Sequence, residues 1–287
     1  HGHREYEDEV IYKVGMKNFN HGQYDQAVLA LNTALKNFPY YLEAPLAQQM
    51  VVSCYVVRKK YERANKEREK LVARYKSGSE WANRNGTDAV AMEIASNQVK
   101  KALSSIPIYY HAEGQKKKSK EMYEKALQRY QQYINLFPDE KWKVYEFKYN
   151  MAEICNSLRM YEKAAVNYDY VATQDLKTYP RYKMELDTFG MDQEEIEKKK
   201  LERKKSSPVA ISQEDAGYNA IVALENLRKQ TMQAQNLTEE QSFTLPETNK
   251  LIDYINNFST RFPKNANAPE VMYLAGNVYF AAKKYDQ

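Results

Sequence analysis

Residues that interrupt helices are scarce in this chain, which has only nine glycines and nine prolines among its 287 residues. Glycine weakens a helix and proline ends or kinks it, so both are common where a chain turns often. Alanine, leucine, lysine, glutamate and glutamine, which favour helices, are abundant. The composition therefore predicts an all-α protein.

Histidine and cysteine are also rare, with four and two copies. No two histidines have the i, i+4 spacing of a helical metal site, and neither a glycine-rich phosphate loop nor a nucleophile elbow occurs. We therefore expect no metal ion, no cofactor and no enzymatic activity. Cys54 and Cys155 lie in apolar stretches of different predicted hairpins, so we expect two buried thiols and no disulfide.

The chain also lacks a strong charge of one sign and a long apolar run. Its net charge of +5 is the small difference between 43 basic and 38 acidic residues. This balance indicates a mixed, well-solvated surface, and no nucleic-acid partner is expected. No run approaches the roughly 18 apolar residues of a membrane-spanning helix, so no transmembrane segment is expected.

A short phrase recurs five times: tyrosine, an acidic residue, any residue and, in four copies, alanine. It starts at Tyr24, Tyr61, Tyr123, Tyr161 and Tyr285, and the alanines are Ala27, Ala64, Ala126 and Ala164. Tyr61 lies 37 residues after Tyr24 and Tyr161 lies 38 residues after Tyr123, whereas 62 residues separate Tyr61 from Tyr123. Such spacing is typical of two-helix repeat units, with an enlarged third unit.

Apolar residues follow each complete phrase at helical spacing, and Phe-Pro or Tyr-Pro pairs end several of these helices. A second helical stretch precedes each phrase, at about 6–20, 43–58, 87–110, 142–158, 213–231 and 268–283. We therefore expect about six units, each made of two antiparallel helices.

Two segments depart from this pattern. Residues 77–87 are rich in glycine, asparagine and serine and are expected to form a loop. Residues 181–209 are highly charged, with glutamates four positions before lysines, which favours either a solvated single helix or a mobile insertion. The predicted domains are 1–180 with units one to four, 181–211 as a charged insertion or linker, and 212–287 with units five and six. Because the chain starts without methionine and stops inside the last unit, we expect a fragment.

The first unit resembles the tetratricopeptide repeat family. The residues that match its small, turn, aromatic and terminating positions are Gly15, Gly22, Tyr24, Ala27, Ala34 and Pro39. This resemblance implies a right-handed α-solenoid of antiparallel helical hairpins. It also implies that small residues such as Gly15, Ala27, Ala152, Ala164 and Gly276 allow paired helices to approach closely.

Alignment of the units on the repeated tyrosine places four other tyrosines at one equivalent position of the first helices. In the tetratricopeptide family, that position and those four and seven residues later face the concave groove, where peptides or partner helices bind. The residues that this resemblance places there are Tyr12, Met16, Phe19, Tyr149, Glu153, Asn156, Tyr218, Tyr273, Asn277 and Phe280. The alternative is that these tyrosines only pack between neighbouring first helices.

The last unit combines Phe262-Pro263, Ala268-Pro269-Glu270 and a Tyr-Leu-x-Gly-x-x-Tyr motif from Tyr273. This sequence pattern resembles that of bacterial cell-envelope repeat proteins of the TolA-binding and outer-membrane assembly type. It implies a non-enzymatic scaffold that binds a protein or peptide, located in the periplasm or attached to the outer membrane through an anchor outside this sequence. A cytoplasmic location and a self-assembling subunit of a motility or secretion apparatus remain alternatives.

Overall fold

The computed structural model describes residues 7–183, 193–205 and 207–283, and all regular secondary structure in these ranges is helical. The chain divides into two compact units, His1–Leu136 and Phe137–Gln287. From here on they are called the first and the second unit, and a single pair of helices is called a repeat unit. The predicted all-α class is confirmed. The fifth tyrosine phrase, which begins at Tyr285, lies outside the described residues.

The first unit is a row of helices in which each long helix packs against the next. Its helices are α1 (Glu7–Asn20), α2 (Tyr24–Asn37), α3 (Ala44–Val57), α4 (Tyr61–Tyr75), α5 (Glu80–Asn85), α6 (Ala89–Lys117) and α7 (Lys120–Leu136). The long helices contact one another in chain order, and short turns join the members of each hairpin. The predicted antiparallel hairpins are therefore present.

The second unit has the same arrangement with more irregular connections. Its helices are α8 (Lys141–Ser157), α9 (Tyr161–Thr173), α10 (Gln193–Lys205), α11 (Gln213–Gln235), α12 (Glu239–Ser242), α13 (Pro246–Arg261) and α14 (Ala268–Ala281). Two 3-10 turns occupy Leu176–Thr178 and Pro208–Ala210. Successive contacts join α8, α9, α11, α13 and α14. The core of the unit lies between these helices.

The small residues of the repeat lie where the helices of a hairpin meet. Ala27, Ala64, Ala126 and Ala164 are all fully buried. A Cβ atom at Gly15 would lie 2.6 Å from Leu31 Cδ2, so α1 and α2 approach each other closely at this position. The α1–α2 turn requires a left-handed backbone at Gly22, with φ of 71°, which glycine adopts without strain.

The packing role of Gly276 stays a prediction. A Cβ atom there would meet no atom within 4 Å. The sequence pattern places a small residue here as it does in the first unit, but the second helix that would approach it belongs to the phrase at Tyr285, which is outside the described residues.

Residues 77–87 are not only a loop, as the composition predicts, because they contain the short helix α5. The Ser79 side chain caps this helix by accepting a hydrogen bond from the Ala82 amide at 3.2 Å. Trp81 Nε1 donates to the Tyr41 carbonyl oxygen at 3.0 Å, and the Trp81 ring meets the Tyr75 ring edge-on, with 5.5 Å between centroids. These contacts bury the indole and fold the segment back onto the α2–α3 turn.

The enlargement of the third repeat unit comes from the short helix α5 and from the 29-residue α6, which includes Pro107. In the charged stretch, α10 and the turn at Pro208–Ala210 are described, whereas 184–192 and 206 are not. The predicted domain boundary at 181–211 stays a prediction. The boundary between the two compact units lies elsewhere, after Leu136. Across the part of the chain that the structure covers, no helix has the length and apolar character needed to span a bilayer.

Candidate partner-binding surface

Single side-chain interactions link the first helices of three successive hairpins in the second unit, α8, α11 and α14. Tyr145 Oη on α8 donates to the Ile211 carbonyl oxygen, just before α11, at 3.2 Å. Tyr218 Oη on α11 donates to Glu270 Oε1 on α14 at 3.4 Å. The predicted tyrosines Tyr149 and Tyr218 therefore each lie near a carboxylate of the next first helix, Asp215 and Glu270. We call the residues around these interactions the tyrosine face: Tyr149, Glu153, Asp215, Tyr218, Glu270, Tyr273 and Asn277.

Tyr149 is half-buried at the α8 side of this face. Its ring meets the Tyr168 ring of α9 edge-on, with 5.9 Å between centroids. Glu153, one turn later, accepts a hydrogen bond from the Tyr168 hydroxyl. Burial raises the pKa of Tyr149, and the nearby carboxylates of Glu153 and Asp215 raise it further. Tyr149 is therefore a protonated, fixed aromatic surface beside two acidic groups.

The α11 and α14 side of the face is more open. Tyr218 is partly exposed, and its pKa is raised by burial and then by the Glu270 carboxylate. Tyr273 lies on α14 three residues after Glu270, and its side chain is 71% exposed. Asn277, one turn further, is also exposed. The tyrosine face thus ends in an aromatic ring that a partner can contact directly.

Three carboxylates of this face, Glu153, Asp215 and Glu270, form no ion pair with any basic side chain in the described residues. No basic side chain that the structure describes therefore neutralises their negative charge by direct pairing. A cationic group placed here would gain Coulomb attraction to the carboxylates and could stack on a tyrosine ring. The chemistry of the face fits a basic segment better than an acidic one.

In the first unit the predicted groove residues are largely occupied by internal contacts. The Tyr12 ring packs against the Tyr41 ring, with 6.3 Å between centroids, and burial raises the pKa of Tyr12, with Glu43 adding to the effect. Met16 is half-buried. The alternative that a first-helix tyrosine packs against the neighbouring unit describes Tyr12 well.

The prediction that Phe19 lines an open groove is wrong. Its side chain is only 2% exposed and packs with Ala27 and Cys54, and its ring meets Tyr24 edge-on. The α1–α2 turn follows within three residues, so α2 and α3 close over the last turn of α1. The equivalent residues in later units, Asn156 and Phe280, are exposed.

Phe280 and Met272 extend the exposed apolar surface of α14 beyond the tyrosine face. Phe280 is 71% exposed and Met272 is 48% exposed. Together with Tyr273 they cover two turns of the same helix. Sequence reasoning missed Met272 because it does not stand at the aligned position.

No catalytic or metal-binding arrangement emerges from the described residues. No group of three or more histidine, cysteine, aspartate or glutamate side chains within them could hold a metal ion. Cys54 and Cys155 are buried free thiols, and burial raises their pKa values to about 12 and about 11. Both remain protonated at neutral pH, so neither is an activated nucleophile.

Comparison with known proteins gives matches in structure only. No protein-family model matches this sequence, and no curated protein matches it. The apo crystal structure of RapI is similar with a TM-score of 0.37 and 16% identity, over 98% of this chain and 86% of RapI. The complex of the TPR2AB domain of yeast Sti1 with pHSP90 is similar with a TM-score of 0.29 and 13% identity, over 96% of this chain and 98% of that chain.

Proposed function

We propose that this protein is a non-enzymatic scaffold that binds a segment of a partner protein along the tyrosine face. The observation that carries the proposal is the series of adjacent tyrosines and carboxylates on α8, α11 and α14, with no ion pair from the three carboxylates in the described residues. Tyrosine offers a large apolar area with a polar tip and loses little side-chain entropy on binding.

The partner segment is basic in this proposal. Lysine or arginine side chains would approach Glu153, Asp215 and Glu270, and their alkyl stems or guanidinium planes would cover Tyr218 and Tyr273. A cation on an exposed ring contributes about 0.5–1 kcal/mol. Several such contacts along one segment would give measurable affinity with a marked dependence on salt concentration.

Binding can be tested with two labelled peptides of equal length, one rich in arginine and lysine and one in which glutamate replaces each basic residue. Fluorescence anisotropy would measure both against the intact protein and against a variant with Asp215→Asn and Glu270→Gln. Asp253→Asn is a matched control. Asp253 is exposed on α13, outside the tyrosine face, and its replacement removes one carboxylate charge of the same kind.

We expect the double variant to bind the basic peptide about tenfold more weakly, a change of about 1.4 kcal/mol. Tyr273→Ala should also weaken binding, without loss of helicity, because the ring is largely exposed. Equal affinity for the two peptides would contradict the proposal. So would an Asp253→Asn variant that weakens binding as much as the double variant does.

We further propose a location in the bacterial cell envelope. This part of the proposal is supported by the sequence pattern of the last repeat unit, from Phe262-Pro263 through Ala268-Pro269-Glu270 to Tyr273. Fractionation of the source cells tests it independently of binding. Recovery of the protein in the soluble cytoplasmic fraction would remove the envelope context and leave the binding proposal intact.

Self-assembly is a second candidate function, favoured by the exposed Met272, Tyr273 and Phe280 on α14. An apolar surface of this kind can be covered by a second copy of the chain. Light scattering at micromolar concentration would show a mass above that of the monomer, and Phe280→Ser would return the mass to the monomer value. A monomeric wild-type protein would exclude this candidate at that concentration.

A further inference from the structure

A cleft of about 600 Å³ lies within the first unit, between α2, α4 and α5. Its size is in the range of pockets that bind small molecules or single side chains of a peptide. Residues 32–81 supply its lining, so it shares no residue with the tyrosine face. It depends on a different part of the chain and does not rest on the proposed function.

The walls of the cleft combine apolar and polar side chains, and several of them are held by hydrogen bonds. Leu35 and Pro39 contribute from the end of α2, and Trp81 contributes from α5. Trp81 is fixed by its hydrogen bond to the Tyr41 carbonyl oxygen. At the rim, the Tyr40 hydroxyl donates to Glu80 Oε1 at 2.6 Å. The cleft is therefore preformed and needs no large rearrangement to accept a ligand.

A buried amide orients the polar groups at the floor. Gln48 is 1% exposed, and its Nε2 donates to Glu67 Oε2 at 2.8 Å. Its other end, Oε1, accepts a hydrogen bond from Arg74 Nη1 at 3.2 Å. Because both ends of the amide are bonded, Gln48 holds the Arg74 guanidinium in one position at the edge of the cleft.

The charges lining the cleft leave a positive excess. Both acids are already paired, Glu67 with Lys70 Nζ at 2.7 Å and Glu80 with Arg84 Nη2 at 2.9 Å. By contrast, Arg74 and Lys36 form no ion pair with any described residue. The hydrogen-bond partners of Arg74 are the neutral Gln48 amide and the Tyr75 hydroxyl.

We propose that this cleft binds a carboxylate joined to an apolar group. The carboxylate would pair with Arg74, assisted by Lys36, and the apolar group would lie against Leu35, Pro39 and Trp81. Arginine suits this role because its planar guanidinium can donate two parallel hydrogen bonds to one carboxylate.

A singly charged carboxylate fits better than a phosphate group. Three cations and two carboxylates line the cleft, so its formal excess is a single positive charge. A dianion would be repelled by Glu67 and Glu80, which a monoanion tolerates better. The carboxylate could belong to a free organic acid or to an acidic side chain of a peptide next to an apolar residue.

Nuclear magnetic resonance of the Trp81 indole N–H can detect binding in the full chain, with Trp142→Phe used to assign the signal. The free-acid probe is 3-phenylpropionate, and 3-phenylpropionamide is its neutral control. The peptide probe is acetyl-Leu-Glu-Phe-amide, and acetyl-Leu-Gln-Phe-amide is its neutral control. Each probe is titrated into the wild type, Arg74→Gln and Lys101→Gln, the last being an exposed lysine on α6 outside the cleft.

We expect at least one acidic probe to shift the Trp81 signal saturably and its neutral control to do so much more weakly. Arg74→Gln should weaken binding about tenfold or more, and Lys101→Gln should leave it unchanged. If only the peptide binds, the carboxylate source is an acidic segment, and if the free acid binds as well, a small molecule suffices.

Equal binding of acid and amide would overturn the proposal, as would wild-type affinity in Arg74→Gln. If neither acidic probe shifts the signal at millimolar concentration, the cleft is not a carboxylate site. If Arg74→Gln does not fold, Lys36→Gln provides the same comparison from an exposed position, because Lys36 makes no ion pair in the described structure.

Discussion

Replacement of Gly15 by alanine tests the closest approach between two helices in the first unit. The added Cβ would lie 2.6 Å from Leu31 Cδ2 and 2.7 Å from Leu31 Cγ. Favourable contacts between carbon atoms lie at about 3.5–4.0 Å, so the overlap is about 1 Å. Rotation of the leucine end cannot relieve it, because Cγ is a branch atom and Leu31 is fully buried.

The expected change in the free energy of unfolding combines two opposing effects. Alanine in place of glycine inside a helix stabilises by about 0.5–1 kcal/mol, because the unfolded chain loses conformational freedom. Overpacking of a filled core costs about 1–3 kcal/mol. We therefore expect Gly15→Ala to destabilise the first unit by about 0.5–2 kcal/mol.

Gly276→Ala is the matched control, since a Cβ there meets no atom within 4 Å. Only the favourable effect applies, so this variant should gain about 0.5–1 kcal/mol. Urea denaturation followed by circular dichroism would measure both variants. Hydrogen exchange would localise the changes, with faster exchange in α1 and α2 for Gly15→Ala and equal or slower exchange in α14 for Gly276→Ala.

A Gly15→Ala variant as stable as the wild type would refute this reasoning about the α1–α2 contact. A double-mutant cycle with Leu31→Ala gives a second check, because residues in contact show coupling energies of about 0.5–3 kcal/mol. Additive effects of Gly15→Ala and Leu31→Ala would mean that the two positions do not touch. Destabilisation by Gly276→Ala would mean that another surface covers this part of α14.

Two further predictions concern buried charged or titratable groups. Burial lowers the pKa of His111 below its usual value, so the unfolded chain takes up the proton first as the pH falls below about 6.5. The stability contributed by neutral His111 is thus complete above that pH and is lost progressively below it. Between pH 7.5 and 5.5, the wild type should therefore lose more stability in urea denaturation than His111→Gln does. Arg228 is 3% exposed and binds Glu225, Glu239 and Ser242. Arg228→Met should therefore lower the free energy of unfolding by about 3 kcal/mol, measured in the same way. Glu239→Gln should lower it by less than about 1 kcal/mol, because Glu239 is half-exposed.

Sequence periodicity predicted most of the helices because burial repeats along the chain. The predicted stretch at 142–158 corresponds to α8 at Lys141–Ser157, and the stretch at 268–283 corresponds to α14 at Ala268–Ala281. In both, apolar residues recur at helical spacing. Each helix ends just before a residue with a left-handed backbone, Arg159 and Lys283.

Segments that depend on one distant contact were not predictable in the same way. The short helix α5 exists because Trp81 is buried against the α2–α3 turn, 40 residues earlier in the chain. Local composition contained only a weak signal, the N-cap Ser79 followed by Glu80. Composition around it is that of a loop, and the tertiary contact decides the outcome.

The candidate surfaces show the same division between local and distant information. Alignment on the repeat identified Tyr149, Tyr218 and Tyr273, and the structure places Tyr149 near Asp215 and Tyr218 near Glu270 of the next first helix. It also selected Phe19, because the repeat fixes the position along the helix but not the tilt of neighbouring helices. The cleft of the first unit has no recognisable sequence pattern. Gln48 and Arg74, which meet at the cleft, lie 26 residues apart in the chain and on different helices.

The tyrosine and the alanine of the repeated phrase differ in burial, which the sequence alone does not show. The alanine is fully buried in each of the four complete copies, whereas Tyr61 is 53% exposed. A methyl group at this position allows the two helices of a hairpin to meet, and any larger group would have to displace the opposite helix. The alanine, more than the tyrosine, therefore determines the hairpin geometry. The tyrosine position can vary in its contacts, as at Tyr123, which packs over Gly114.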